Sequence, residues 1–452
     1  MSEKSPVYGL SASVRDALAQ RLSLRRAEPA APAPRQFTAA ALGDPAMRKE
    51  MATMRQVASL LKMSDPYCRV HDGVPAQSVR IGERRLDSFT SYNYLGLNGD
   101  SRVSAAAKTA IDDQGTSVSA SRIVSGERAL HRQLEADLAE LHGSEACMCL
   151  VSGHATNVSV IGTLIGPKDA CLHDALSHNS IIQGAIMSGA RRISFKHNDL
   201  DDLDRHLAAI RGDVDRVLII VEGHYSMDGD VPDLARLRSI ADRWGASLMV
   251  DEAHSVGVLG ATGSGIAEHC GLDGSYADLW MGTLSKTLAG CGGYVAGRHD
   301  LIDYLRFATP GYVYSVGLPP PVTAAAIEAL RIMRAEPERV ATLQRNGLSF
   351  LHAAQAAGLD TGTSIGAAIV PVIVGSSIHA AKAADLLFEE GINVHPIIYP
   401  AVPERTARLR FFITADHDPA RLAEIATAVA CALDKTRGAA RGLDILARKM
   451  MD

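Results

Sequence analysis

The feature that most constrains this chain is a series of short, nearly continuous apolar runs that stop abruptly at polar clusters. Arg216-Val-Leu-Ile-Ile-Val221 ends at Glu222-Gly223-His224, Ser247-Leu-Met-Val250 at Asp251-Glu252-Ala253-His254, and Asp278-Leu-Trp-Met281 at Gly282-Thr283-Leu284-Ser285-Lys286. Runs of this length without polar alternation suit strands buried on both faces. From residue 100 to 300 they alternate with helical stretches, the pattern of βα units on a largely parallel sheet. Open α/β sheets bind ligands beyond the carboxyl ends of their strands, where these polar clusters fall.

The 452 residues leave room for two or three domains. Residues 1–40 read as an appendage: a helical stripe over 11–26 with four arginines, then a linker with prolines 29, 32 and 34. Residues 41–110 read as a lead-in, with a helix from Met47 to Met63 and strands near Ser78–Ile81 and Leu86–Phe89. A large α/β domain is expected over 111–315. A smaller α+β domain is expected over 316–452, with strands Ile369–Val374, Ile392–Ile397 and Leu409–Thr414.

Charge excludes one class of function. Lys and Arg total 46 against 51 Asp and Glu, so no global positive field attracts a phosphate backbone, and nucleic acid is not an expected partner. No apolar run approaches the roughly 20 residues of a membrane span. The seven cysteines include no CxxC pair, which fits buried thiols in a reducing cytoplasm.

Lys286 stands at a strand end among small residues that admit a bulky ligand. An ordinary lysine is neutral in only about one molecule in two to three thousand at pH 7, so Schiff-base chemistry requires burial or a nearby cation. Asp251 and His254 leave another strand end together, and a buried carboxylate there needs a cationic partner. A protonated pyridine nitrogen would supply one. A metal site on Asp251, Glu252 and His254 lacks a second ligand group, so no metal is expected. Ser285-Lys286-Thr287 lacks the glycine-rich loop of a Walker site, and no GxSxG elbow occurs.

Asp251-x-x-His254 and Thr283-x-x-Lys286 together resemble fold-type I pyridoxal phosphate enzymes, and the wording is closer still to the α-oxoamine synthases. Six further segments are similar in order: Ser91-Tyr-Asn-Tyr-Leu-Gly-Leu97, Ser121-Arg-Ile-Val-Ser-Gly126, Ser152-Gly-His-Ala-Thr-Asn157, Leu176-Ser-His-Asn-Ser180, Tyr225-Ser-Met-Asp-Gly-Asp230 and Ala407-Arg-Leu-Arg410. Ser119-Ala-Ser-Arg122 and Trp280-Met-Gly-Thr283 look most like modules associated with polyketide synthases.

The resemblance implies pyridoxal 5'-phosphate on Lys286, with Asp251 at its ring nitrogen, His178 stacked on the ring, and Ser226 and His254 at its phenolic oxygen. The phosphate would rest on Gly153, His154 and Thr283, an anion site at a helix N-terminus. His154 stands where the family usually has an aromatic residue. Arg410 would grip the amino-acid carboxylate, which its planar fork suits, and Arg408 would be a structural ion-pair partner. Asn93 would lie near the substrate. Val316 replaces a hydroxyl that reaches a neighbouring subunit's phosphate in the family, leaving Ser315 as the substitute. The implied activity condenses a small L-amino acid (glycine, alanine or serine) with an acyl thioester, on CoA or acyl-carrier protein, releasing CO2 and free thiol, in a cytoplasmic homodimer. An aminotransferase or aldol-type enzyme would share Lys286, Asp251 and Arg410. A non-catalytic docking module of a synthase assembly is the alternative of another class.

Overall fold

The computed structural model describes residues 43–60, 63–399, 401–403 and 405–438. The arginine-bearing stretch 11–26 and the proline linker lie outside the described residues. A helix, Pro45–Leu60, belongs to a separate unit that ends at residue 61, and residues 62–452 form one compact unit.

The strands in chain order are β1 (Ser78–Ile81), β2 (Arg84–Ser88), β3 (Ala146–Leu150), β4 (Ala170–Asp174), β5 (Arg191–Phe195), β6 (Val217–Glu222), β7 (Ser247–Asp251), β8 (Leu279–Thr283), β9 (Gly293–Gly297), β10 (Ile369–Gly375), β11 (Ile392–Asn393), β12 (His395–Ile397) and β13 (Ala407–Phe412). Seven of them form the main sheet in the order β3-β9-β8-β7-β6-β4-β5. Only β9 runs against its neighbours. The expected βα fold is therefore present.

Why the apolar runs lack alternation is visible in the packing. Val217, Ile219 and Val221 of β6 enter the core on one face of the sheet, while Leu218 and Ile220 enter the core on the other. Every residue of β6 is buried. At the edge, β5 exposes Arg191 and Arg192, charges that discourage pairing with a further strand.

A second core gathers Phe350, Phe411, Leu409 and Val429 with Phe89 from the lead-in. The helix Glu338–Ala356 joins the two cores, with Val340 and Leu343 in the first and Phe350 and Leu351 in the second. Its predecessor Pro320–Ala335 starts with a proline in its first turn, where the missing N–H has no intrahelical acceptor to lose. That helix buries Ala326, Ala329, Leu330 and Met333 in the first core.

Two expectations change. The run Ile392–Ile397 is not one strand: β11 pairs with β2, whereas β12 pairs with β13. The chain crosses between two small sheets here, and β12 is the edge of its sheet, a position where a proline such as Pro396 is tolerated. Buried thiols describe only Cys147, Cys149 and Cys171, which lie on β3 and β4; Cys68, Cys270, Cys291 and Cys431 are exposed, and all seven are free. Among the described residues, no helix is long and apolar enough to cross a membrane.

Candidate active site

The carboxyl ends of β6, β7 and β8 bring Glu222, Asp251 and Thr283 to one side of the main sheet, with Glu222 directly opposite Asp251 in the register. Asp251 is buried. Its Oδ1 accepts from the Ala253 N–H at 3.0 Å, and its Oδ2 accepts from Asn157 Nδ2 at 2.7 Å.

Lys286 follows β8, and burial pulls its ammonium down to about 8. The carboxylates of Asp251 and Glu222 oppose that shift, and Arg410 adds to it. The same carboxyl ends therefore supply a lysine that is partly neutral near pH 7 and the charges that tune it.

Glu222 was visible in the sequence only as a strand-end residue. Burial first, then Asp251, raises its carboxyl to about 8. Its Oε1 accepts from the His178 backbone N–H at 2.6 Å and its Oε2 from the Ser226 N–H at 3.2 Å. One side chain thus ties together two loops that carry expected cofactor contacts.

His178 caps the helix Asn179–Ser188, with Nδ1 2.7 Å from Ser180 Oγ. Burial lowers its pKa against the pull of Asp251. The His154 ring lies 6.3 Å away at a steep angle, so the imidazole in place of the usual aromatic still lines the site. His254 is buried with Nδ1 2.7 Å from the Tyr94 hydroxyl, and desolvation holds it well below its ordinary value.

Residues of the expected phosphate site also converge. The helix Gly153–Leu164 starts beside β8, and its first-turn N–H groups have no intrahelical acceptor. A Cβ on Gly153 would stand 2.8 Å from Thr283 Oγ1, so glycine is what admits that hydroxyl to the helix end. Thr283 Oγ1 lies 2.8 Å from Ser285 Oγ, adding a second hydroxyl that the motifs did not single out. A helix N-terminus, two hydroxyls, a buried carboxylate and a depressed lysine form a donor set that fits pyridoxal phosphate.

The two arginines of β13 differ in their surroundings. Arg408 pairs with Asp228 at 2.6 Å. Arg410 lies over the Phe412 ring at 4.5 Å, and its Nη1 donates to the Ser226 carbonyl at 3.1 Å. Its Nε is buried without a hydrogen-bond partner, and no carboxylate pairs with it among the described residues.

Asn93 ties a turn. Its Nδ2 donates to the carbonyls of Pro75 at 2.8 Å and Asn98 at 3.1 Å, and its Oδ1 accepts from the Asn98 N–H at 3.0 Å. Both amide protons hold that turn. The flanking tyrosines reach the site: Tyr94 through His254, and Tyr92 with its ring 5.9 Å from Lys286 Nζ. Ser315 forms no hydrogen bond with the other candidates and lies between exposed Tyr314 and Val316.

The loop bearing Ser226 is anchored by an ion cluster absent from the sequence reading. His197 Nδ1 and Nε2 each lie 2.9 Å from a carboxylate, Asp174 and Asp230 respectively. Burial alone would lower the imidazole, but hydrogen bonds to the two carboxylates override it and raise it to about 10. The folded value exceeds the unfolded one, so this stabilisation is complete below about pH 6.5 and is lost as pH rises through about 10. His197→Ala is expected to destabilise the protein by about 3 kcal/mol at pH 7, the low end for breaking a buried pair because the side chain is 22% exposed. Urea denaturation should show the difference shrinking towards pH 10.5; a constant difference would count against an ionic role.

Comparison with known proteins agrees with this geometry. The family model described as "Aminotransferase class I and II" matches residues 87–429. The 8-amino-7-oxononanoate synthase of Fervidobacterium nodosum is 40% identical over 341 residues, 75% of this chain and 86% of that protein. A solved serine palmitoyltransferase from S. paucimobilis with bound PLP and myriocin is 30% identical, with a TM-score of 0.83 over 87% of this chain and 99% of that one. A solved 8-amino-7-oxononanoate synthase from Francisella tularensis is 25% identical, with a TM-score of 0.67 over 77% of this chain and 98% of that one. Pyridoxal phosphate is the cofactor of this group, and the residues around Lys286 fit it. The chain therefore belongs to the class I and II aminotransferase family, as a pyridoxal-phosphate-dependent acyltransferase of the α-oxoamine synthase group.

Proposed function

We propose that the enzyme joins glycine, alanine or serine to an acyl thioester, releasing CO2 and free thiol and leaving an α-amino ketone. The observation that carries this reading is Arg410, a largely buried guanidinium with an unpartnered Nε, in the same site as the partly neutral Lys286. A buried cation without an anion of its own calls for one from the substrate. The α-carboxylate of an amino acid supplies it in bidentate form.

When bound, pyridoxal phosphate serves as an electron sink for charge developing at the amino acid's α-carbon. The protein's own groups do the rest. Arg410 holds the carboxylate, Asp251 keeps a cationic ring nitrogen paired, and neutral Lys286 Nζ takes the α-proton. Attack of the α-carbon on the thioester carbonyl expels the thiol. The carboxylate is then β to a ketone, and loss of CO2 returns its bonding electrons to the α-carbon, which takes up a proton.

The solvent-facing side chains of Val124, Phe307 and Tyr314, at 80%, 76% and 86% exposure, support a homodimer in which a second copy covers them. Ser315, next to Tyr314, would face the neighbour's phosphate there.

Each amino acid is to be supplied with acyl-CoA and acyl-carrier protein thioesters while CO2 and free thiol are measured. Equimolar release of the two is the expected result. Formation of a keto acid without thiol release would replace this reading by transamination. In the same assay Arg410→Ala should raise the amino-acid KM by about 30-fold or more, equivalent to roughly 2 kcal/mol or above for truncating a buried charge pair, while cofactor binding is retained. An unchanged KM would remove the carboxylate role.

A further inference from the structure

We infer that Asn157 and Ser180 are positioning residues, forming a hydrogen-bond chain from Asp251 to His178 that holds His178 as the neutral tautomer with its proton on Nε2. Asn157 Nδ2 lies 2.7 Å from Asp251 Oδ2 and 2.9 Å from Ser180 Oγ, and Ser180 Oγ lies 2.7 Å from His178 Nδ1. The direction of each bond follows from the chemistry of the groups.

A carboxylate only accepts, so the amide nitrogen of Asn157 and not its oxygen must face Asp251. Its two protons are then committed, one to Asp251 and one to Ser180 Oγ. The serine hydroxyl has a single proton, which passes to His178 Nδ1. The Ser180 backbone N–H points at the same nitrogen at 3.3 Å. With two donors aimed at it, Nδ1 is an acceptor, and the ring proton is on Nε2. An imidazolium would bring a third proton into that space.

Burial keeps this order in place. Asn157 and Ser180 are each 1% exposed, so water does not compete for their protons. Asn157 Oδ1 is left buried without a partner, a cost offset by the charge-assisted bond on the other end of the amide. The charged and titratable groups facing His178 come from every side: Asp251 from β7, Glu222 from β6, Lys286 after β8, Arg410 from β13 and His154 from the helix Gly153–Leu164. Asp251 favours an imidazolium, whereas burial, Lys286, His154 and Arg410 disfavour it.

The consequence for the reaction rests on the proposed function. A ring nitrogen held positive by Asp251 would be repelled by a second cation at His178, and a neutral imidazole avoids that while keeping one donor, Nε2–H, for the substrate side. As in metal-bound histidines, the partner of one ring nitrogen decides what the other can do.

The test uses the full chain labelled with 15N-histidine, with and without pyridoxal phosphate, and the His178 signals are identified by their loss in His178→Asn. Protonated Nε2 and bare Nδ1 is the expected pattern. Ser180→Ala should mix the tautomers, because Nδ1 loses its hydroxyl donor, and Ser180→Thr should restore the parent pattern. A proton on Nδ1 in the parent protein, or an unchanged pattern in Ser180→Ala, would overturn the inference. Borohydride trapping on Lys286 in the same samples reports the cofactor reading separately: its failure would reject that reading while the tautomer of the apoprotein still decides this one.

Discussion

Lys286→Ala is expected to lower turnover by about 10²–10⁴-fold or more, the range for losing a positioned acid–base group, and to abolish covalent trapping of the cofactor. The physical basis is the amine's environment. At an ordinary value near 10.4, about one lysine in two to three thousand is neutral at pH 7. Burial brings Lys286 to about 8, so about one in ten is neutral there. Asp251 and Glu222 keep the value from falling further. The sign of the pH effect follows: below 8 the amine is protonated and cannot take a proton, so kcat of the parent enzyme should climb roughly tenfold per unit from pH 6 towards 8. Thiol release gives the rate, and borohydride reduction with peptide mapping gives the attachment site. Turnover within tenfold of the parent, or a pyridoxyl group on another lysine, would show that Lys286 does not carry the chemistry.

Asp251→Asn is the second large effect. The substitution keeps the shape of the side chain and removes the charge that opposes a cationic ring nitrogen. Breaking a buried pair in this way costs about 3–5 kcal/mol, which corresponds to about 10²–10⁴-fold in cofactor retention and turnover combined. Glu222 does not compensate, because burial is the larger cause of its raised carboxyl and persists without Asp251. Equilibrium dialysis of pyridoxal phosphate, read by absorbance, separates lost affinity from lost rate. Affinity and kcat both within threefold of the parent would mean that this carboxylate does not face the ring.

The ends of the strands show how much was legible without coordinates. The apolar runs that became β6, β7 and β8 were placed to within a residue or two, because burial on both faces requires uninterrupted apolar side chains. Their terminal polar residues were legible for the same reason: a charged group directly after such a run needs a use. Arg408 and Arg410 were assigned different roles by motif, and in the structure Arg408 pairs with Asp228. The turn that Asn93 makes with Pro75 and Asn98 was not legible, since an asparagine in a matched segment reads the same whatever its amide faces.

What the sequence determined by itself was the periodicity, and with it the α/β class and the strand ends at which Asp251, His254 and Lys286 stand, while His178 entered through the resemblance of its segment. These depend on local pattern, which the chain carries residue by residue. Tertiary structure alone decided that Asn157 meets Asp251 across 94 residues, that Tyr94 meets His254 across 160, and that Ile392–Ile397 divides between two sheets. It also left Arg410 Nε without a partner. Hydrogen-bond partners so distant in sequence are chosen by which strand ends and helix termini packing brings within 3 Å, and no local pattern encodes that distance.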